Sequence, residues 1–264
     1  MNWTLGFLGC GNMGQALLSG WLEHGEITAD RVLIAAKTTS EATAQRLSVR
    51  SGTLQEVVDS SDLIILAVKP QYALDVVSPL SFRSNQLVVS IMAGTPISRM
   101  GVEPARVVRT MPNVGSRVGL GATVAFAGSD VTAEEKSRVD SLFNAVGCLE
   151  WLGDEDQFHA ATALVGSGPA YVFMALEAMA AGAVAAGLPS TSVHRLAAAT
   201  VEGAAALALR SGEAPGVLKD RVASPGGTTV AALRRLEHHD FSGALTDAID
   251  AAAQRSRELA MGET

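Results

Sequence analysis

The stretch GFLGCGNMGQAL at residues 6–17 decides the fold of the first half of the chain. It joins an apolar segment to a helical pattern through Gly9, Gly11 and Gly14, which have the spacing G-x-G-x-x-G. In a strand–turn–helix context, the first glycine permits a tight turn and the second lets a pyrophosphate approach the backbone. The third lets the helix lie close to the strand. The helix N-terminus then offers free N–H groups to phosphates. The pattern predicts dinucleotide binding; a tight turn with only a structural role is the alternative.

Short apolar segments alternate with helical or polar stretches on both sides of this loop. They read WTLGFLG, RVLIAA, DLIILAV, QLVVSIM and ARVVRTM, with ATVAFAG and CLEWL as further candidates. Continuous apolar segments of this kind suit a parallel sheet that is covered on both faces. The alternation predicts an α/β, Rossmann-like doubly wound sheet with right-handed crossovers over residues 1–155.

From residue 156 to residue 264 the pattern is helical and alanine dominates. Alanine occupies 15 of the 41 residues from Ala170 to Arg210. The segment Ala170–Gly187 is apolar almost all round, and a helix without a polar face has to be buried on every side. We expect an all-α second domain whose helices are covered by a second copy of the chain. Burial within one monomer is the alternative.

Composition excludes several classes of protein. The chain has 264 residues, is 48% hydrophobic and 18% charged, and carries a formal net charge of −7, which argues against nucleic acid as a partner. No apolar run reaches the 18–20 or so residues that span a bilayer, so no membrane segment is expected. Two cysteines, Cys10 and Cys148, make no disulfide framework, and a reducing cytoplasm is expected. No metal site is predicted.

The end of the second predicted strand indicates which dinucleotide binds. A site for NAD has a carboxylate there for the ribose 2′-hydroxyl, but this chain has Ala36, Lys37, Thr38, Thr39 and Ser40. A cation and hydroxyls suit the 2′-phosphate of NADPH, with NADH as a weaker alternative. The other interpretation is that Lys37 is solvated and Ser40 caps the next helix.

Four further stretches make the resemblance specific: DLIILAVKPQ, VRTMPNVG, ATALVGSGPAYVF and LKDRVASPGGTTVAAL. Together with the glycine loop, they resemble the pyrroline-5-carboxylate reductase family over essentially the whole chain. The resemblance implies reduction of the cyclic imine 1-pyrroline-5-carboxylate to L-proline by NAD(P)H, the last step of proline biosynthesis. It also implies a homodimer that is built from interlocked helical domains, and higher assemblies that are often decamers.

The resemblance also implies which residues hold the cofactor. They are Leu8, Gly9, Cys10, Gly11, Asn12 and Met13 at the pyrophosphate; Lys37 and Thr38 at the adenosine phosphate; Ala67, Val68, Lys69 and Pro70 at the nicotinamide ribose; and Met92, Ala93 and Gly94 at the nicotinamide.

For the substrate, the resemblance places Ser224, Gly226, Gly227 and Thr228 at the carboxylate, Thr229 at the imine nitrogen and Glu155 near the ring nitrogen. The residues themselves agree, because Pro225 stops one helix, the glycines expose N–H groups and a new helix begins. That arrangement forms an anion-binding nest. We assign Thr229 a positioning and polarising role, because a hydroxyl of high pKa is a poor acid. A helix–helix elbow with threonine caps is the alternative.

Two departures from the family pattern lie near the expected site. Val114 and Gly115 replace the usual Thr-Pro after Met-Pro-Asn, and Val165 replaces a serine. The histidines His159, His194, His238 and His239 are expected to be structural or solvated.

Two other functions remain open at the level of sequence. A β-hydroxyacid dehydrogenase shares the layout but needs a lysine early in its second domain, and no lysine occurs between Ser137 and Leu218. A dinucleotide-binding regulatory protein without turnover is the second alternative.

Overall fold

The first half of the protein is built on one eight-stranded sheet. The structure, a computed structural model, describes residues 3–36 and 40–261. The strands are β1 (Leu5–Leu8), β2 (Val32–Ala35), β3 (Arg50–Ser51), β4 (Leu63–Leu66), β5 (Leu87–Ser90), β6 (Arg106–Pro112), β7 (Gly121–Ala127) and β8 (Gly147–Trp151). Each of the seven predicted strands is confirmed. The strand β3 was not predicted, because two exposed polar residues carry no apolar signal.

The strand order is β3-β2-β1-β4-β5-β6-β7-β8, which contains the 3-2-1-4-5-6 order of doubly wound dinucleotide-binding folds. β1 to β6 pair in parallel, β7 is antiparallel to β6, and β8 is parallel to β7. Leu8 pairs with Ala35 and Leu66, and Leu66 pairs with Ser90. The carboxyl ends of β1, β2, β4 and β5 therefore lie level at one edge, where such sheets bind ligands.

The helices are α1 (Asn12–Glu23), α2 (Ser40–Leu47), α3 (Leu54–Ser60), α4 (Ala73–Val77), α5 (Ala133–Asn144), α6 (Phe158–Ala161), α7 (Gly168–Ala185), α8 (Ser190–Ser211), α9 (Pro215–Arg221), α10 (Thr228–His238) and α11 (Phe241–Met261). A π-helical turn at Thr162–Gly166 lies between α6 and α7. Short 3₁₀ turns include Pro70–Tyr72, Ile97–Arg99 and Val114–Val118. After β8 the described chain is helical, so the predicted α/β half followed by an all-α half is confirmed.

Apolar layers cover the sheet on both faces. Phe7 of β1 packs in one cluster with Trp21 and Phe143, and the rings of Trp21 and Phe143 meet edge to face at 5.6 Å. Leu8, the next residue, packs in the other cluster with Leu66 and Val88. Successive side chains of a strand point to opposite faces, which is why strands that are apolar throughout predicted a sheet buried on both sides.

By compactness, the chain divides into two units at places that differ from the predicted boundary between residues 155 and 156. The first unit runs to Ser167 and also takes in the chain from Ala251, and the second comprises Gly168–Asp250. Phe158 explains the shift at the first boundary. It is fully buried with Met111 and Val124 of the sheet, so the helical turns that follow β8 pack on the first unit.

The helix α7 leaves most of its apolar surface uncovered. Of its 18 residues Ala180 is buried, whereas Phe173 is 60% exposed and Met174 is 74% exposed. By length and composition, the helical run Glu155–Ala185 is sufficient to cross a membrane, since an 18-residue window within it has a mean hydropathy of 1.3, and 6% of that window is buried. The helix reaches this range by its average composition, because Glu177 interrupts the apolar run itself, and the expectation of no membrane segment stays a prediction.

Candidate cofactor and substrate sites

The glycine loop joins β1 to α1 at the ligand-binding edge of the sheet. Gly9 has a φ of +82°, and a β-carbon there would lie 2.7 Å from the carbonyl oxygen of Ala67, so only glycine fits without strain. Around Gly11, by contrast, the space for a β-carbon is open. Gly11 is also the N-cap of α1 and makes no side-chain cap. The first N–H groups of the helix are therefore free to meet phosphate.

The third glycine of the motif is less constrained than the spacing implies. A β-carbon at Gly14 would make ordinary contacts of 3.5 Å with Ala67 and 3.6 Å with Phe7. The close approach lies six residues later, at Gly20, where a β-carbon would lie 2.4 Å from a methyl group of Val146. Sequence spacing alone did not single out Gly20.

The remaining residues of the loop fit the predicted pyrophosphate contact to different degrees. Leu8 and Cys10 are buried, so they can offer backbone groups, whereas Asn12 is exposed at the start of α1 and Met13 is half-buried. Burial raises the pKa of the Cys10 thiol to about 11, against a smaller opposing effect of Arg46. The thiol therefore stays protonated and unreactive at neutral pH.

Two more predicted cofactor segments follow neighbouring strands at the same edge. Ala67, Val68, Lys69 and Pro70 come directly after β4, with Ala67 and Val68 half-buried and Lys69 and Pro70 exposed. Met92, Ala93 and Gly94 follow β5 by one residue; Met92 is buried and Ala93 is exposed. The sheet thus gathers three separate sequence segments, the glycine loop included, at one edge. Lys37 and Thr38, predicted to contact the adenosine phosphate, lie outside the described residues.

Glu155 lies in the first unit and is tied to two other segments of that unit. Its Oε1 accepts a hydrogen bond of 3.0 Å from a guanidinium N–H of Arg109 and one of 2.9 Å from the backbone N–H of Ile97. Within the described chain, Oε2 accepts no hydrogen bond. Of the two carboxylate oxygens of Glu155, Oε2 is therefore the one available for the predicted contact with substrate.

Arg109 is a residue that sequence reasoning missed. Its side chain on β6 is 2% exposed, and the guanidinium carbon lies 4.2 Å from the ring centroid of Phe158. Burial lowers the pKa of Arg109, while the hydrogen bond and the charge of Glu155 raise it. An isolated arginine in an apolar strand gives no signal of its partner, which is 46 residues away in the chain.

His159 lies beside this pair and contacts the end of the chain. Its Nδ1 is 3.0 Å from the hydroxyl of Ser256, on the part of α11 that belongs to the first unit. Burial, together with the positive charges of Arg109 and Arg257, lowers the pKa of His159. The contact agrees with the structural role expected of this histidine.

The turn SPGGTT in the second unit lies between two helices, as its sequence predicts, but within the described chain only one of its two glycines keeps a free N–H. α9 ends at Arg221 and α10 begins at Thr228. Gly226 has a φ of +74° with open space around it, and the N–H of Gly227 donates to the carbonyl of Ser224 at 3.0 Å. This turn places open backbone in front of a helix N-terminus, as an anion-binding nest does.

Neither threonine of the turn caps the helix. The N-cap of α10 is Gly227, which has no side chain, and within the described chain the hydroxyls of Thr228 and Thr229 make no hydrogen bond. Thr228 is exposed and Thr229 is half-buried. The capping alternative therefore lacks its contact, and both hydroxyls remain available to a ligand.

The two departures from the family pattern have structural explanations. The side-chain oxygen of Asn113 accepts from the N–H groups of Gly115 and Ala122, and a β-carbon at Gly115 would lie 2.6 Å from the carbonyl of Leu120. Glycine at position 115 thus permits a tight turn. Val165 packs against the cluster that contains Phe158, so its side chain serves the core.

Comparison with known proteins agrees with both halves. A family model described as pyrroline-5-carboxylate reductase dimerisation matches residues 155–259, and one described as NADP oxidoreductase, coenzyme F420-dependent, matches residues 4–94. Pyrroline-5-carboxylate reductase from Pisum sativum is 40% identical, covering 98% of this chain and 96% of its own. The Escherichia coli K12 enzyme is 35% identical, with 98% and 99% covered.

Solved structures give the same result. Pyrroline carboxylate reductase from Plasmodium falciparum, crystallised with NADP bound, aligns with a TM-score of 0.88 at 29% identity and 98% of both chains. The Coxiella burnetii pyrroline-5-carboxylate reductase aligns with a TM-score of 0.90 at 31% identity, covering 98% of this chain and 99% of its own. The fold, the glycine loop, the SPGGTT turn and these full-length matches agree: the chain belongs to the pyrroline-5-carboxylate reductase family.

Proposed function

We propose that this chain transfers a hydride from NADPH to C5 of 1-pyrroline-5-carboxylate and releases L-proline, with Thr229 polarising the imine nitrogen. As a member of its family, the chain is an NADP-dependent oxidoreductase that reduces this imine in proline biosynthesis. The observation that carries the residue assignment is the SPGGTT turn, whose two threonine hydroxyls are not used as caps.

The turn supplies what a small carboxylate needs. Ser224, Gly226, Gly227 and Thr228 surround the substrate carboxylate, which the hydroxyls of Ser224 and Thr228 and the backbone N–H groups of Gly226 and Thr228 hold, because the N–H of Gly227 already bonds to Ser224. The positive end of α10 favours the negative charge. Because the contact uses exposed backbone and short side chains, it suits a compact cyclic acid.

The reaction requires little acid–base catalysis by the protein. The substrate reacts as the protonated iminium: the hydride leaves nicotinamide C4 and forms a C–H bond at C5, the electron pair of the C=N bond moves to the nitrogen, and the nitrogen keeps the proton that it already carries. Orientation within about 3–3.5 Å supplies much of the rate enhancement. The hydroxyl of Thr229 donates to the nitrogen as its electron density rises, and the carboxylate of Glu155 stabilises a cationic iminium by charge.

The cofactor is assigned to the edge of the sheet. The residues Leu8 to Met13 hold the pyrophosphate, Ala67 to Pro70 border the nicotinamide ribose, and Met92 to Gly94 border the nicotinamide. NADPH is preferred over NADH because Lys37 and Thr38 suit a 2′-phosphate.

The helical unit is assigned to self-association. The match to a dimerisation domain over residues 155–259 supports an oligomer, and the exposed apolar residues of α7 give it a surface. We infer a homodimer through these helices, which the family's higher assemblies, decamers included, would extend. A partner chain, rather than lipid or nucleic acid, then covers α7. The unpaired Cys10 and Cys148 suit a cytoplasmic location.

The test is the oxidation of NADPH by the purified protein with the cyclic imine, with L-proline measured as product. Proline formed in equal amount to the NADPH consumed supports the proposal. Turnover of a 2-hydroxyacid instead of the imine would assign the chain to another reductase class. NADPH binding with no turnover of either substrate would leave it as a binding protein.

A further inference from the structure

We propose that Arg109 is a positioning residue for the nicotinamide half of the cofactor, and that it acts through Glu155 on the segment Met92–Ile97 that follows β5. The inference rests on the proposed function in one respect, the assignment of Met92, Ala93 and Gly94 to the nicotinamide. It adds a residue that lies within the stretch VRTMPNVG but to which the resemblance assigned no role.

One carboxylate oxygen joins Arg109 to this segment. Glu155 Oε1 accepts from Arg109 at 3.0 Å and from the N–H of Ile97 at 2.9 Å. Arg109 stands on β6, an interior strand of the sheet, where it pairs with Ser90, the last residue of β5. The rigid strand thereby fixes Glu155, and Glu155 fixes the backbone at Ile97.

The segment between Gly94 and Ile97 is short enough to transmit that constraint. Three residues reach at most about 10 Å when fully extended, so a displacement at Ile97 reaches Gly94. Gly94 itself has a φ of +66°. Glycine adopts this conformation readily but adopts others as readily, so the residue alone does not fix the path of the chain. The path of the segment therefore depends on contacts at its far end, and Glu155 provides one.

Stability alone does not account for the burial of Arg109. Its side chain is 2% exposed, and its Nε and second terminal nitrogen have no hydrogen-bond partner among the described residues. A buried donor without a partner is destabilising, and an apolar residue of similar volume often packs as well as a buried ion pair. An apolar residue at position 109, however, would not hold a carboxylate between β6 and Ile97.

The same strand supplies a matched control. Arg106, three residues earlier on β6, pairs with Glu135, with its Nε at 2.9 Å and a terminal nitrogen at 2.8 Å from Oε1. Glu135 also caps α5 through Thr132. This second arginine–glutamate pair is partly buried like the first, but it holds a helix start and, among the described residues, makes no side-chain hydrogen bond to the segment after β5.

The experiment measures two affinities in each folded variant. NADPH carries the nicotinamide, whereas adenosine 2′,5′-bisphosphate carries the 2′-phosphate without it. For Arg109→Met we expect at least tenfold weaker NADPH binding, with affinity for the bisphosphate within twofold of the starting protein. For Arg106→Met we expect both affinities to stay within twofold, even where its melting temperature falls.

Two variants at Glu155 keep the test decisive if Arg109→Met does not fold. Glu155→Gln keeps an oxygen acceptor for Ile97 and should retain NADPH affinity within threefold, while Glu155→Ala removes the acceptor and should lose tenfold or more. The inference is overturned if NADPH and the bisphosphate weaken together, if neither weakens, or if the Gln and Ala variants behave alike. The two affinities are measured without turnover. A protein that failed to reduce the imine would contradict the proposed function, but the effect of each variant on NADPH affinity could still be measured.

Discussion

Gly227 lies directly against Ser224 in the turn before α10: its N–H donates to the Ser224 carbonyl at 3.0 Å, and a β-carbon would lie 2.5 Å from the Ser224 hydroxyl. Gly227→Ala should therefore displace the Ser224 hydroxyl and part of the turn. We expect the KM for the imine to rise tenfold or more, with NADPH affinity unchanged. Steady-state kinetics at saturating NADPH measure this.

Gly216→Ala, in α9 of the same unit, is the control for that change. A β-carbon there meets nothing within 4 Å, and replacing a helical glycine by alanine stabilises by about 0.5–1 kcal/mol. Its KM should stay at the starting value. If the two substitutions changed the KM equally, the turn would have no specific role in substrate binding.

Thr229→Ala tests the polarising hydroxyl. It should lower kcat and kcat/KM together, by about 10- to 100-fold, because an interaction that strengthens in the transition state is lost. Thr229→Ser keeps the hydroxyl and should retain most activity. Since the hydroxyl caps nothing in the structure, the melting temperature should hardly change. A variant that melts earlier, as loss of a cap worth about 0.5–2 kcal/mol would cause, yet turns over normally would make Thr229 architectural.

Lys37→Glu tests the cofactor preference. A carboxylate repels the 2′-phosphate, so NADPH should weaken much more than NADH, and the ratio of the two kcat/KM values should fall at least tenfold. Measuring both cofactors in the same variant removes any general loss of activity. An equal loss for both would show that Lys37 does not contact the phosphate.

His159 predicts a pH dependence of stability. Its pKa is lowered in the folded protein by burial and by the charges of Arg109 and Arg257, so the unfolded chain takes up a proton at higher pH. The contribution is complete above the unfolded value of about 6.5 and is lost as pH falls from there toward the folded value. The stability advantage over His159→Asn should therefore shrink between about pH 7 and pH 5. Thermal melts at several pH values check this, and a constant difference would contradict it.

Met174→Glu tests the oligomer. In a single chain Met174 is 74% exposed, so a charge would cost a monomer little, but it would be buried at an interface that covers α7. We expect dissociation or a loss of stability that depends on protein concentration. Leu74→Glu, at a residue 58% exposed in the first unit, should leave sedimentation unchanged. A folded, active monomer of the unaltered chain would contradict the proposal outright.

Sequence reasoning found the elements whose signal is local. The strands β1, β4 and β5 are apolar on both faces, and the glycine loop and the SPGGTT turn carry their own backbone requirements. It could not find the Arg109–Glu155 pair or the Gly20–Val146 contact, because each depends on two residues far apart in the chain whose meeting no periodicity encodes. It also placed the domain boundary by a change of composition, whereas burial of Phe158 and docking of residues after Ala251 decide where the compact units divide.

The closing turns of α11 give this protein an order of assembly that runs against the order of its synthesis. Ser256 lies at His159, Leu259 borders Gly94, and the carbonyl of Ala260 accepts from Arg99 at 2.5 Å. The half of the molecule that leaves the ribosome first therefore lacks part of its surface until the chain around Ala260 has been translated. A nascent chain halted in the helical half already contains the glycine loop, but Leu259 does not yet lie beside Gly94. Its nucleotide unit can reach the final form only after translation of that last helix.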